Sequence, residues 1–146
     1  APWNLGLGFA RARDAAKDGA WLAKAKTCDA AVVCLGVNDL LHESASAAEV
    51  LSYLDRITRL LKEGGVGRLI LFTLPPLADI WHLAEWREIN RAIREEAIKN
   101  ADAVFDMAAV LGYDEPEGYK ARYSGLHPDG NGGTAVADAF LKAGLL

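Results

Sequence analysis

The sequence predicts an α/β fold, a parallel sheet with helices on both faces, and three observations carry that expectation. Two short runs, AAVVCL (30–35) and RLILFTL (68–74), are continuously apolar and rich in β-branched or aliphatic residues, the look of strands buried on both faces. Segments with helical periodicity alternate with them, and this alternation points to a parallel sheet with right-handed crossovers. No internal repeat, linker or low-complexity stretch interrupts the 146 residues, so residues 1–146 read as a single domain, long enough to bury a core.

The elements follow in chain order. ARARDAAKDGAWLAKA (10–25) is Ala-rich with mixed charges and predicts a helix, at a small cost for Gly19. AAVVCL is the first strand. SAAEVLSYLDRITRLLKEGG (46–65) opens on a capping box, with Ser46 at the cap and Glu49 three residues on. Its apolar face runs through Leu51, Leu54, Ile57, Thr58 and Leu61, and Gly64-Gly65 ends it. RLILFTL is the second strand, stopped by Pro75-Pro76. LAEWREINRAIREEAIKN (83–100) sets Trp86, Ile89, Ile93 and Ala97 on one face, a helix packed on the sheet, with Trp86 in the core. AVFDM (103–107) is a third short strand, residues 113–131 a loop rich in Gly, Pro and Asp, and GGTAVADAFLKAGL (132–145) a closing helix.

Composition excludes several roles. Hydrophobic residues make up 51% and charged residues 25%, as in ordinary globular chains. The net charge is -4 with no basic stripe, so no nucleic-acid partner is expected. No apolar stretch reaches the roughly 20 residues of a membrane span. Two cysteines, Cys28 and Cys34, are too few and too local for a disulfide framework; both are expected reduced, with Cys34 a small core residue. APWNLGLGF has neither a basic nor an apolar signal region, which suggests a cytoplasmic location, and it lacks an initiator Met.

Ligands of parallel sheets bind beyond the carboxyl ends of the strands. Three marked stretches fall there: NLGLGF (4–9), GVND (36–39) and SGLHPDG (124–130). Taken singly, each is ordinary turn composition. In order, N-x-G-x-G, then G-x-N-D after the next strand, then G-x-H-P before the last helix, they resemble the SGNH, or GDSL-type, hydrolase family over nearly the whole chain. TLPP (73–76) adds a weaker likeness.

The resemblance implies a flavodoxin-like, three-layer αβα sandwich and a serine ester hydrolase acting on acyl or acetyl esters, with no cofactor. It implies that Asn38 donates to an oxyanion, with backbone N–H groups of the glycine turn as the second arm. Gly8 is the nearest glycine there, while the family's key glycine falls at Phe9 or just before it. Asn suits the role because its uncharged NH₂ offers two donors. His127 matches the general base, whose ordinary pKa near 6.5 suits proton transfer both ways at neutral pH. Phe9, Asp39 and Tyr123 are the candidate substrate contacts.

Two departures stand out. The family's nucleophile lies in a Gly-Asp-Ser block closing its first strand, and this chain has only Ser44, Ser46, Ser52 and Ser124, none in such a block. That block and strand are expected outside these residues, about thirty positions before residue 1, so the AAVVCL strand is expected to present an apolar edge. An N-terminal segment, or failing that a swapped or oligomeric partner, is expected to cover it. The family also sets an Asp three residues before the His, where this chain has Ser124; Asp129, Asp106 or a backbone carbonyl are left to orient His127. The competing reading is a catalytically inactive module that binds a small ligand or partner in the same crevice. A metal site using Asp39, His42, His82 and His127 lacks any close His or Cys pair, and no phosphate-binding glycine loop occurs.

Overall fold

The computed structural model describes residues 9–25, 27–77, 80, 83–112, 123–124 and 127–146. Three parallel strands form its sheet in chain order: β1 (Ala30–Val33), β2 (Arg68–Phe72) and β3 (Ala103–Phe105). Val33 lies beside Leu71, and Leu71 beside Val104, so all three strands end at one rim.

The first predicted helix divides into α1 (Ala12–Lys17), a 3₁₀ turn at Gly19–Trp21 and α2 (Leu22–Ala25). Asp18 is extended there and caps the turn by accepting from the Ala20 N–H at 3.0 Å. The carbonyls α1 leaves open are met by side chains: Trp21 Nε1 donates to Ala15 O and Arg56 Nε to Ala16 O. Between β1 and the long helix lies α3 (Val37–Glu43), one element more than the periodicity predicts. Helix α4 (Ala47–Glu63) begins at the expected capping box, with Ser46 and Glu49 bonding reciprocally. Helix α5 (Ala84–Arg94) stops earlier than predicted, because Glu96 turns left-handed at φ 55° and redirects the chain toward β3. A short α6 (Met107–Val110) follows, then the two-residue strands β4 (Tyr123–Ser124) and β5 (His127–Pro128), paired antiparallel, and finally α7 (Gly130–Ala143).

Side chains alternate across the strands, which separates two packing faces. Leu69 and Leu71 join Ala12, Val50, Leu54, Ile57, Trp86, Ile89 and Ile93 in a core built with α1, α4 and α5. On the opposite face Phe72, Phe105 and Phe140 meet as a cluster, with ring centroids 4.7 to 5.3 Å apart, so α7 covers β2 and β3 there. Helices therefore lie on both faces, as expected. The cover is unequal. Val32, on the Ile70 side, is 46% exposed, and Cys34 is exposed as well. Cys34 is thus not the fully covered core residue expected: it follows the end of β1 with part of its surface open, although burial around the sulfur pushes the thiol pKa up to about 12. Both cysteines are free. No described residue pairs with the outer edge of β1.

No helix among the described residues is long and apolar enough to cross a membrane.

Candidate functional site

The carboxyl rim of the sheet is organised around α3. Gly36 takes φ 125°, a value that favours glycine, and turns the chain from β1 into the helix. A Cβ at Gly36 would stand 2.8 Å from Val50 Cγ1 and 3.4 Å from both Leu74 methyls, so this turn admits no side chain. Two residues later Asn38, half-buried, donates from Nδ2 to Ala10 O at 2.9 Å. An amide has two such hydrogens, and among the described residues the second has no partner.

Asp39 is 1% exposed. Its Oδ2 accepts from the Ala12 N–H at 2.7 Å and its Oδ1 from the Arg13 N–H at 3.0 Å. The carboxylate thereby serves as the missing cap of α1, whose own Arg11 side chain caps nothing. This corrects the expectation that Asp39 contacts substrate: both oxygens face the backbone of α1 and the side chain is closed off from solvent. Glu43, one turn on, pairs with both Arg11 and Arg13. Three residues at four- or five-residue reach along α3 thus fasten one segment, Ala10–Arg13.

Phe9 opens that segment. Its φ of 61° is left-handed, unusual for a residue with a Cβ, and falls where the family resemblance puts a glycine. The side chain is 81% exposed, its ring 5.9 Å from that of His42 at a tilt of 54°. Gly8, expected as the nearest glycine donor, lies outside the described residues, as do Trp81, His82, Tyr119, Asp114 and Glu115. For Tyr123 the structure gives its backbone pairing with Pro128.

His127 stands elsewhere on the same rim. Arg68, at the start of β2, reaches Leu145 O, while Phe140 meets Phe72 and Phe105 at the ends of β2 and β3. Helix α7 therefore runs back from the carboxyl rim toward the amino rim, and His127, three residues before it, lies on the carboxyl side of the sheet. Its backbone pairs with Ser124, its side chain is exposed, and its ring makes no hydrogen bond to a described residue. The two carboxylates considered as its orienting partner are engaged otherwise. Asp129 caps α7, accepting from the Asn131 and Gly132 N–H groups at 2.8 and 2.9 Å. Asp106 accepts from Arg94 Nε at 2.6 Å, from Arg94 Nη2 at 2.9 Å and from Thr73 Oγ1 at 2.9 Å. Partial burial pushes the Asp106 carboxyl up, but its hydrogen bonds to Arg94 and the charge of that guanidinium outweigh it and hold the pKa below the ordinary value.

The described serines have local roles or none. Ser46 belongs to the capping box, Ser52 donates to Glu49 O within α4, and Ser44 ends α3 at φ 50°. Among the described residues no group of three His, Cys, Asp or Glu side chains could hold a metal ion.

A parallel sheet, an N-D pair opening the helix after its first strand and a His before its last helix form the frame on which the comparison turns. Residues 2–135 match the GDSL-like lipase/acylhydrolase family. The chain belongs to that family. Two crystal structures share the fold of this GDSL-like chain. One is an acetyl esterase mutant S10A with acetate ion, with a TM-score of 0.74 at 17% identity. The other is a carbohydrate esterase family 3 protein from Talaromyces cellulolyticus, with a TM-score of 0.71 at 16% identity. Each comparison covers 92% of the GDSL-like chain and 66% of the other chain, so these residues span just under two thirds of either protein's length. No curated protein matches the sequence.

Sequence reading missed α3 as a helix, the cap made by Asp39 and the inward placing of Asn90 on α5. The last had a visible signal: Asn90 falls within the stripe formed by Trp86, Ile89 and Ile93, where a polar side chain needs a partner.

Proposed function

We propose that these residues supply the oxyanion and general-base arms of a serine hydrolase of acyl or acetyl esters, with the nucleophilic serine contributed by sequence outside positions 1–146. The observation that carries this reading is Asn38: one amide hydrogen is fixed on Ala10 O, just after Phe9, which sets the orientation of the amide plane and leaves the other hydrogen to donate to an oxyanion. In the proposed cycle a serine Oγ attacks the ester carbonyl carbon as His127 takes its proton. The carbonyl oxygen becomes an oxyanion, bound by the second Asn38 N–H and by backbone N–H groups of the turn at Gly8 and Phe9. His127 then protonates the leaving alcohol, and water repeats the sequence on the acyl-enzyme. The two structural neighbours, an acetyl esterase and a carbohydrate esterase, favour a short acyl group on a sugar-like alcohol. An N-terminal segment carrying the serine would pair with the open edge of β1 and cover Val32.

One observation favours a second reading, a binding module without turnover: the His127 ring has no carboxylate partner among the described residues, and Ser124 stands at the expected Asp position. Turnover separates the two. In the full natural chain, Asn38→Ala should reduce kcat on p-nitrophenyl acetate by about 10²–10³-fold with the fold retained. An unchanged rate would remove Asn38 from the oxyanion hole, and no hydrolysis by the unmutated chain would favour the binding module.

A further inference from the structure

We propose that Asn90 is a positioning residue for Asn38, acting through Leu74; the inference rests on Asn38 being the oxyanion donor. Asn90 lies on the sheet-facing side of α5 and is fully buried. Its amide matches the backbone of one residue on both sides: Oδ1 accepts from the Leu74 N–H at 2.7 Å and Nδ2 donates to Leu74 O at 3.0 Å. Leu74 is the second residue beyond β2, where the strand has run out and its backbone groups have no ladder partner. The residues on either side are tied as well, Thr73 Oγ1 accepting from the Ala108 N–H and Pro75 O from Trp86 Nε1. Three successive residues beyond β2 are thus fixed, Thr73 to α6 and Leu74 and Pro75 to α5.

The consequence reaches Asn38 by contact. The Leu74 side chain, fully buried, ends within van der Waals reach of the Gly36 turn, where a Cβ would touch both its methyls at 3.4 Å. Gly36 is the cap of α3, and Asn38 is the second residue of that helix. Leu74 and Val50 together form the surface on which Gly36 rests, so a shift of Leu74 moves the start of α3 and carries the Asn38 amide with it. Oxyanion stabilisation depends steeply on such placement, since an error of about 1 Å is worth up to about 100-fold in rate.

The test reads the Asn38 side-chain amide directly. Its ¹⁵N–¹H₂ resonances are assigned by their loss in Asn38→Asp, and are then compared in Asn90→Asp and in Leu61→Ala, a core change at the far end of α4. The expected result is that Asn90→Asp displaces the Asn38 resonances while Leu61→Ala, of similar or greater thermal destabilisation, leaves them in place. In the full natural chain the same Asn90→Asp change should lower kcat about 10- to 100-fold with KM within about twofold. Unmoved Asn38 resonances in a folded Asn90→Asp protein would overturn the proposal and leave Asn90 a purely structural residue. Should Asn90→Asp not fold, Leu74→Val decides: the shortened side chain must displace the Asn38 resonances, and if it does not, the proposal fails. An absence of hydrolysis by the unmutated chain would count against the esterase reading alone, because the resonance shift is read without turnover.

Discussion

The two halves of the carboxyl rim are built to different standards. On the Asn38 side four described residues are fastened: Asn38 to Ala10 O, Asp39 to two N–H groups of α1, Glu43 to Arg11 and Arg13, and Leu74 to Asn90. Around His127 the chain is held by a two-residue strand pair and by the Asp129 cap, and the imidazole is exposed. The difference fits the two tasks proposed for Asn38 and His127. An oxyanion donor acts by preorganisation, so its surroundings have to be rigid before substrate arrives. A general base needs proton access and reach, and its own exposure is compatible with both.

This contrast can be broken by substitution. Asp39→Ala removes a buried carboxylate and leaves two helix N–H groups without acceptors, and should cost about 3 kcal/mol in chemical denaturation. A loss below about 1 kcal/mol would mean that α1 is not held by Asp39. Gly36→Ala is next, at about 2 kcal/mol, because the new methyl meets Val50 at 2.8 Å in a backbone conformation that L residues rarely adopt. His127→Ala is the counterpart on the other half: stability should change by no more than about 0.5 kcal/mol, while hydrolysis by the full natural chain falls away.

The acid limb of stability sharpens the same comparison. Asp106 binds Arg94 at the end of β3, and its folded pKa lies below the unfolded value near 3.9. Its contribution is therefore complete above that unfolded value and is lost as pH falls through the lower folded pKa. Asp102 behaves alike, lowered first by its hydrogen bond from Lys62, with burial opposing and the Leu69 N–H assisting. Thermal scans from pH 6 downward should keep stability nearly flat until about pH 4. Asp106→Asn should start lower and fall less steeply. Phe9→Gly should also be mild, because relief of the left-handed backbone is offset by a more flexible unfolded chain, for a net change within about 1 kcal/mol.

How far this was legible in the sequence depended on which signal each element left. The capping box at Ser46 and Glu49, the buried face of α4 and the placing of Trp86 are local patterns, and the structure reproduces them. Breaks arising from single backbone conformations were not legible. Glu96 ends α5 left-handed without a glycine, and Asp18 interrupts the first helix ahead of Gly19. Helix α3 was hidden because VNDLLHE is short and its polar residues suit a turn as well as a first helical turn. Asp39 read as a site residue because an acidic side chain beside the motif is compatible with chemistry or with a helix cap, and only the approach of α1 distinguishes them. Cys34 was misplaced for a related reason: a run of apolar residues reports the strand, not whether both its faces are covered.

The proposed ester hydrolysis requires an activated serine in the natural protein. Treatment of the full natural chain with a fluorophosphonate, followed by intact mass and peptide mapping, reads this in one experiment. A single adduct on a serine outside positions 1–146, lost on His127→Ala, is the predicted result. An adduct on Ser44, Ser46, Ser52 or Ser124, or no adduct on a folded chain, would contradict it.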